Sequence, residues 1–385
     1  MLKKYLITPG PTAVPEQVLL SMAAPMIHHR TPEFEYIFKE ARDGLKKIFK
    51  TNSEPLILAS SGTGAMEAAV VNTLSQGDKV LVINGGKFGE RWIKICNTYG
   101  INVSSIELEW GRSADPKSIA EFLENNPDTK AVFVQGSETS TTVYHPVKEI
   151  ASITKNMPNT ILVVDGITSA GVHDTCFDEW GIDILITGSQ KAFMLPPGLA
   201  FIVLSDKAWN MVEKSTLPKF YFNLKIELKN QMKNTTAWTA GVSLIIGLKK
   251  VIDMMLSEGI ENIFERHKIN AEATRAAVTA LGMQLLAKDI PSNAATGCFL
   301  PENIDGKKFV KYLRDDCGIS LAGGQDQLAG KILRISHLGY HDVFDTITAI
   351  CAIEMGLKKF GIDIKLGSGV AAAQEVLLKY MPNCK

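Results

Sequence analysis

The chain has 385 residues, enough for two or three domains, and carries 41 Lys+Arg against 41 Asp+Glu. That balance leaves no overall field to favour nucleic acid or an anionic membrane surface, so small-molecule partners are expected. The six cysteines, at 96, 176, 298, 317, 351 and 384, form no CxxC pair and no metal-ligand spacing, which predicts a reducing, cytoplasmic setting and no metal.

At the N-terminus, MLKKYLITPGPTAVPEQV meets proline after a few apolar residues, and nowhere does an uncharged apolar stretch reach 18 residues. Neither a secretion signal nor a membrane span is expected. From about residue 55 to 205, short apolar runs alternate with helical patterns: PLILAS, KVLVING, AVFVQGS, TILVVDG, DILITGS and LAFIVLS. This predicts βαβ units on a mainly parallel sheet. Several runs end in Gly, Ser, Asp or Asn, at the strand ends where open α/β sheets bind ligands.

Four features fall along that edge. SSGTGAMEAAVVNTL opens a helix after the first run, and backbone N–H groups near Thr63, Gly64 and Ala65 can cradle a phosphate. The same residues read equally well as a plain glycine turn, and the absence of GK[ST] excludes a nucleotide P-loop. In NGGKFGERW, Phe88 lies in a glycine-rich loop and, taken singly, reads as a core aromatic. In ILVVDGITSAG, Asp165 ends a buried strand, where a carboxylate needs a cation or several donors; a helix cap or Asx turn is the even alternative. In LITGSQKAFMLPPGLAF, Lys191 stands just beyond a β-branched run, a position that suits either a surface lysine or one with chemistry to perform.

Further on, AGVSLIIGLKKVIDMMLSEGIENIFERHKINAEATRAAVTALG reads as helix interrupted at Gly247 and Gly259, linking to a smaller α+β region built from ATGCFL, DGKKFVKYLRDDCG, ISLAGG, KILRISHLG and DVFDTITAICAIEMGLKKFG. Taken together, a phosphate cradle, an aromatic plate, a strand-end carboxylate and a strand-end lysine match the phosphate, ring face, pyridinium nitrogen and aldehyde of pyridoxal 5'-phosphate.

With these motifs in view, the sequence resembles the class V aminotransferases of fold type I, particularly the alanine–glyoxylate and serine–glyoxylate (serine–pyruvate) group. The likeness runs from TPGPTAVP to LRISHLGY, and GSQKAFMLPPGLAF preceded by VDGITS is its most specific part. It implies a fold type I transferase: an N-terminal arm (1–20), a large cofactor-binding domain (21–260) with a mainly parallel seven-stranded sheet, and a small C-terminal α+β domain (261–385). It implies that Lys191 bonds the cofactor aldehyde, Asp165 holds the pyridinium nitrogen, Phe88 stacks on the ring and Thr139 supports the O3′ side. Thr63, Gly64 and Gln190 then meet the phosphate, and Ala65 and Ile167 complete the cofactor-binding set.

The segment NTTAWTAGVSL resembles the stretch by which one subunit of this family enters its neighbour's site, so Thr239 is expected to reach the phosphate in trans and the enzyme to be a homodimer with shared active sites. Here the sequence departs from the family, which usually has proline at the positions of Ala237 and Ala240; Thr142 stands where glycine is common, and Phe88 where close relatives often carry tryptophan. Arg334 in KILRISHLG matches the family's arginine for the substrate carboxylate, and Gly10 and Pro11 are expected to cover the substrate. His337 and His341 have i, i+4 spacing without an HExxH motif, and they, like His28 and His29, read as packing or site-lining residues rather than metal ligands.

The implied activity is transfer of an amino group from a small amino acid, alanine or serine, to a 2-oxo acid such as glyoxylate or pyruvate by a ping-pong mechanism. Three alternatives stand beside it. A cysteine desulfurase would need a nucleophilic cysteine in the stretch GGQDQLAGKI, which has none; a phosphonate or phosphoserine aminotransferase would need an added basic cluster; a non-catalytic subunit would keep only the fold.

Overall fold

In the computed structural model, which describes residues 2–380, all six apolar runs become strands. They are β1 (Leu56–Leu58), β2 (Lys79–Asn84), β4 (Thr129–Gln135), β5 (Ile161–Asp165), β6 (Ile184–Gly188) and β7 (Ala200–Leu204), and β3 (Asn102–Glu107) joins them. The seven form one sheet in the order β1-β7-β6-β5-β4-β2-β3; β7 runs antiparallel to both neighbours and every other pairing is parallel. Sequence patterning passes over β3 because it is the edge strand, largely exposed and carrying Ser104 and Ser105. An edge strand has no second neighbour and needs no continuous apolar run.

Both faces of the central strands are covered. Val132, Val134, Leu162 and Val164 point into one apolar cluster, with helices α1 (Pro32–Phe49) and α4 (Val242–Glu258). Ala131, Phe133, Ile161 and Val163 point into the other, with α2 (Gly62–Thr73) and Trp92 of α3 (Lys87–Thr98). The two-residue period carries Asp165, last in β5, to the face of Ile161 and Val163, where α2 begins.

The long helical stretch breaks at one of its two glycines. Gly259 (φ +89°) separates α4 from α5 (Ile260–Ala280), whereas α4 continues through Gly247. Gly247 is there for close packing: a Cβ would sit 2.8 Å from Met22 Cγ and 2.9 Å from Leu195 Cδ2.

Beyond α5, β8 (Ala295–Phe299), β9 (Ala322–Gly323) and β10 (Ile332–Ser336) form an antiparallel sheet in the order β8-β10-β9, backed by a third apolar cluster that includes α6 (Val343–Lys359). The N-terminal Tyr5–Leu6 pairs with Ile319–Ser320 beside this sheet. The following residues then run to the end of β6, with Thr12 N–H donating to Gln190 O (3.2 Å) and Thr12 Oγ1 to Lys191 O (3.0 Å).

Candidate active site

Lys191 lies in the turn that reverses the chain between β6 and β7. Ser189 locks this turn: its N–H donates to Leu199 O (2.9 Å), its hydroxyl donates to Pro196 O (2.8 Å) and accepts from Leu199 N–H (3.2 Å). Met194 (φ +51°) and Gly198 (φ +144°) supply the left-handed conformations that complete the reversal. The lysine is buried, and its ammonium donates to Pro9 O. Gly10 packs against it so closely that a Cβ would sit 2.3 Å from Nζ. Burial is the main cause that lowers the Lys191 pKa to about 8; the charges of Arg334 and Arg91 add to it, and Asp165 opposes.

Asp165 accepts the Ile167 N–H (3.0 Å) and, among the described residues, forms no ion pair. Burial pushes its pKa up to about 7, against the Ile167 hydrogen bond; Glu138 raises it further, while Arg91 and Lys191 pull it down. Such a carboxylate gains from any added cationic N–H partner.

Next to Asp165, α2 starts without a side-chain cap. Gly64 N–H turns to Ser61 O (2.9 Å), which takes it out of the set expected from sequence, and Gly62 N–H joins Thr63 N–H where the helix opens. Gly62 faces Ile167, whose Cδ1 would lie 2.4 Å from an added Cβ. The Gln190 side chain approaches the same place: Gly188 would put a Cβ 3.7 Å from Gly62 N and 3.1 Å from Gln190 Oε1, and that buried Oε1 has no partner. An uncapped helix N-terminus is a ready anion site, and the Gln190 amide beside it serves an anion when its NH2 rather than its unpaired Oε1 is turned inward.

Phe88 is in the first turn of α3 rather than in a loop, because the helix begins at Lys87. Its cap comes from fifty residues downstream: the Glu138 carboxylate accepts Phe88 N–H (3.1 Å) and Gly89 N–H (3.2 Å), and Ser140 Oγ accepts Lys87 N–H (3.0 Å). Gly86 permits the approach, since a Cβ there would lie 2.3 Å from Ser140 Oγ. Arg91, one turn along α3, stacks its guanidinium 4.8 Å from the Phe88 ring centroid and donates to Thr63 Oγ1 (3.1 Å). Nothing in the sequence marks Arg91 or Glu138 for the site: three-residue spacing from Phe88 is the only signal for Arg91, and a surface arginine shows the same.

Thr139 is buried, with its hydroxyl 2.6 Å from Thr168 Oγ1, and its carbonyl accepts Arg334 Nη1 (2.9 Å). Arg334, at the centre of β10, also donates from Nε to Gly323 O (3.0 Å). Both acceptors are neutral, and burial lowers the arginine's pKa while Glu138 supports the charge. A guanidinium so placed can take a carboxylate.

The remaining sequence candidates fall elsewhere. Pro11 is exposed, its carbonyl accepting Thr8 Oγ1 (2.9 Å). Thr239 is exposed in a surface groove shared with His28 and His29, and no contact joins it to Lys191. His337 and His341 are buried against Thr296 (2.9 Å) and Thr346 (3.0 Å), and no group of three metal-ligand side chains occurs among the described residues. Cys384 lies outside the described residues; Cys96, Cys176, Cys298, Cys317 and Cys351 are unpaired.

A family model described as Aminotransferase class-V matches residues 4–368. The chain is 42% identical over 378 residues to the "Soluble hydrogenase, small subunit" of a Synechococcus species, covering 97% of this chain and 98% of that one. It is 38% identical over 376 residues to the L-aspartate–glyoxylate aminotransferase of Paracoccus denitrificans, covering 95% and 94%. Among solved structures, the ureidoglycine–glyoxylate aminotransferase of Bacillus subtilis superposes with a TM-score of 0.92 at 28% identity, covering 98% and 99%.

Proposed function

The chain belongs to the class V aminotransferases, and from that footing we propose that it binds pyridoxal 5'-phosphate and moves an amino group from a small amino acid, alanine or serine, to a 2-oxo acid such as glyoxylate or pyruvate in a ping-pong cycle. The observation that carries the reading is the meeting of a buried lysine with lowered pKa, a buried carboxylate and a carboxylate-free buried arginine beside an uncapped helix N-terminus.

When bound, pyridoxal phosphate supplies an electron sink for the carbanion left as the substrate Cα loses its proton. The chain's residues do the rest. The N–H groups of Gly62 and Thr63 would hold the phosphate, joined by Gln190 with its amide NH2 turned towards it, and Phe88 would back the ring. Asp165 supplies the counter-charge for a protonated ring nitrogen. Arg334 binds the substrate carboxylate and so aims the Cα–H bond, and Lys191 takes the proton at Nζ, its lowered pKa leaving a useful neutral fraction near pH 7. Gly10 and the arm around it cover the lysine and exclude water.

The same proposal includes a homodimer in which Thr239 reaches the partner's phosphate; the groove of Thr239, His28 and His29 on the surface supports an intersubunit use. It also includes the three-part division at residues 20 and 260, of which the separate apolar clusters support the boundary near 260, and a cytoplasmic location, supported by the unpaired cysteines. No helix among the described residues is long and apolar enough to cross a membrane.

A second reading, a non-catalytic subunit, is favoured by the name of the Synechococcus relative. One experiment separates the two: cofactor-loaded protein is mixed with single amino acids and its cofactor absorption recorded. Conversion by alanine or serine, reversed by glyoxylate, is expected. A loaded protein that no amino acid converts would support the subunit reading, and borohydride attachment of cofactor to a lysine other than Lys191 would overturn the site assignment.

A further inference from the structure

Thr142 holds a backbone conformation that β-branched residues avoid, with φ +57°, and it is buried. Such a conformation persists only where the surroundings hold it. Here two hydrogen bonds do so: Thr142 Oγ1 accepts Gly297 N–H (3.1 Å), and Thr142 O accepts Ser292 N–H (2.9 Å). Gly297 is shaped for this contact, since a Cβ would lie 2.7 Å from Thr142 Oγ1 and 3.2 Å from Cγ2.

Gly297 is the register partner of Arg334 in the β8–β10 pair. Its own N–H and carbonyl point away from β10, to Thr142 Oγ1 and to Leu286 N–H (2.9 Å), so the threonine hydroxyl satisfies an N–H that the sheet itself leaves unpaired. Three residues before Thr142, Thr139 O accepts the Arg334 guanidinium (2.9 Å). The loop from Thr139 to Thr142 thus touches the arginine and the backbone of its neighbour strand, while Ser140 ties the same loop to the helix of Phe88 (Lys87 N–H to Ser140 Oγ, 3.0 Å).

We propose that Thr142 is a positioning residue: its hydroxyl, seated on Gly297, sets the depth at which Arg334 meets the substrate carboxylate. The inference rests on the carboxylate role proposed for Arg334. Loss of this one hydrogen bond weakens substrate binding without touching the proton-transfer groups.

The test uses cofactor-loaded Thr142→Val, Thr142→Ser, Thr142→Gly and Arg334→Gln. For each, the KM and kcat of the amino donor and the dissociation constant of 2-methylalanine, which has no Cα hydrogen, are measured together with cofactor affinity. Thr142→Val is expected to raise KM and the 2-methylalanine constant about fivefold, with kcat and cofactor affinity within about twofold; Thr142→Ser restores both constants. Thr142→Gly, unstrained in the left-handed region, gives the same result where valine does not fold. In the double variant Thr142→Val with Arg334→Gln, no further loss beyond Arg334→Gln is expected. If Arg334→Gln weakens substrate binding but neither Thr142→Val nor Thr142→Gly does, or if the two losses multiply, the inference falls alone. If Arg334→Gln leaves binding unchanged, the carboxylate reading falls and takes this inference with it.

Discussion

Replacing Gly10 by alanine should disable the lysine more than it destabilises the protein. Two effects are separable. At φ +110° a non-glycine residue is strained, at a cost of about 1–3 kcal/mol. In addition the new methyl would lie 2.3 Å from Lys191 Nζ, 2.6 Å from Cε and 2.7 Å from Cδ. Because those atoms end a flexible side chain, the contact is relieved by moving the lysine, so little of it registers as lost stability. Displacement of the proton-transfer nitrogen by about 1 Å costs on the order of a hundredfold in rate, or roughly 2.7 kcal/mol in the barrier. Gly77 provides the control, with φ +85° and nothing within 4 Å of an added Cβ. Gly77→Ala carries the backbone strain without the contact. Thermal unfolding and turnover are measured for both variants. Comparable losses of Tm are expected, with turnover falling about a hundredfold only in Gly10→Ala. A Gly10→Ala enzyme with turnover within threefold of Gly77→Ala would refute the claim that the arm fixes the position of Lys191.

Asp165→Asn should lower the transamination rate at least about tenfold by removing the counter-charge at the ring nitrogen, while leaving Tm unchanged or higher because a costly buried carboxylate is gone; equal turnover in saturated enzyme would make Asp165 a structural cap. Stability should fall as pH is lowered from 6.5 toward 4, read from thermal unfolding across pH. Burial holds His145 and His341 near about 4, His173 at about 3, and His267 and His337 well below the usual value. The unfolded chain therefore binds protons first, and each of His145 and His341 supplies up to about 3 kcal/mol above pH 6.5 that is lost through pH 4. Asp165, raised to about 7, works in the opposite sense, stabilising below its unfolded pKa and losing that contribution as pH rises through 7; a flat or rising Tm on acidification would show that the carboxylates outweigh the histidines. Finally, mixed dimers of Lys191→Ala and a disabling Thr239 variant should regain about half the wild-type activity, since one of two sites is intact; verified mixed dimers without activity would place Thr239 in its own chain's site or in none.

What the sequence determined by itself was local in origin. β-branched runs became β2, β4, β5, β6 and β7 because a strand buried on both faces needs only apolar side chains in succession. The turn-forming and polar residues that close those runs put Asp165 and Lys191 at the ends of adjacent strands, and the glycines after β1 opened α2. Tertiary structure alone decided the contacts that depend on chain segments arriving from far away. Glu138 caps the helix of Phe88, Thr139 receives Arg334, Thr142 seats on Gly297, and Gly10 closes over Lys191. Nothing in a window around Phe88 foretells that its helix is capped from another loop, because a cap requires only a carboxylate in the right place, whatever its position in the chain. Gly247 makes the same point from the other side: glycine's low helix propensity predicted a break, and close packing against Met22 and Leu195 kept the helix whole, tertiary contact outweighing an intrinsic preference of about 1 kcal/mol.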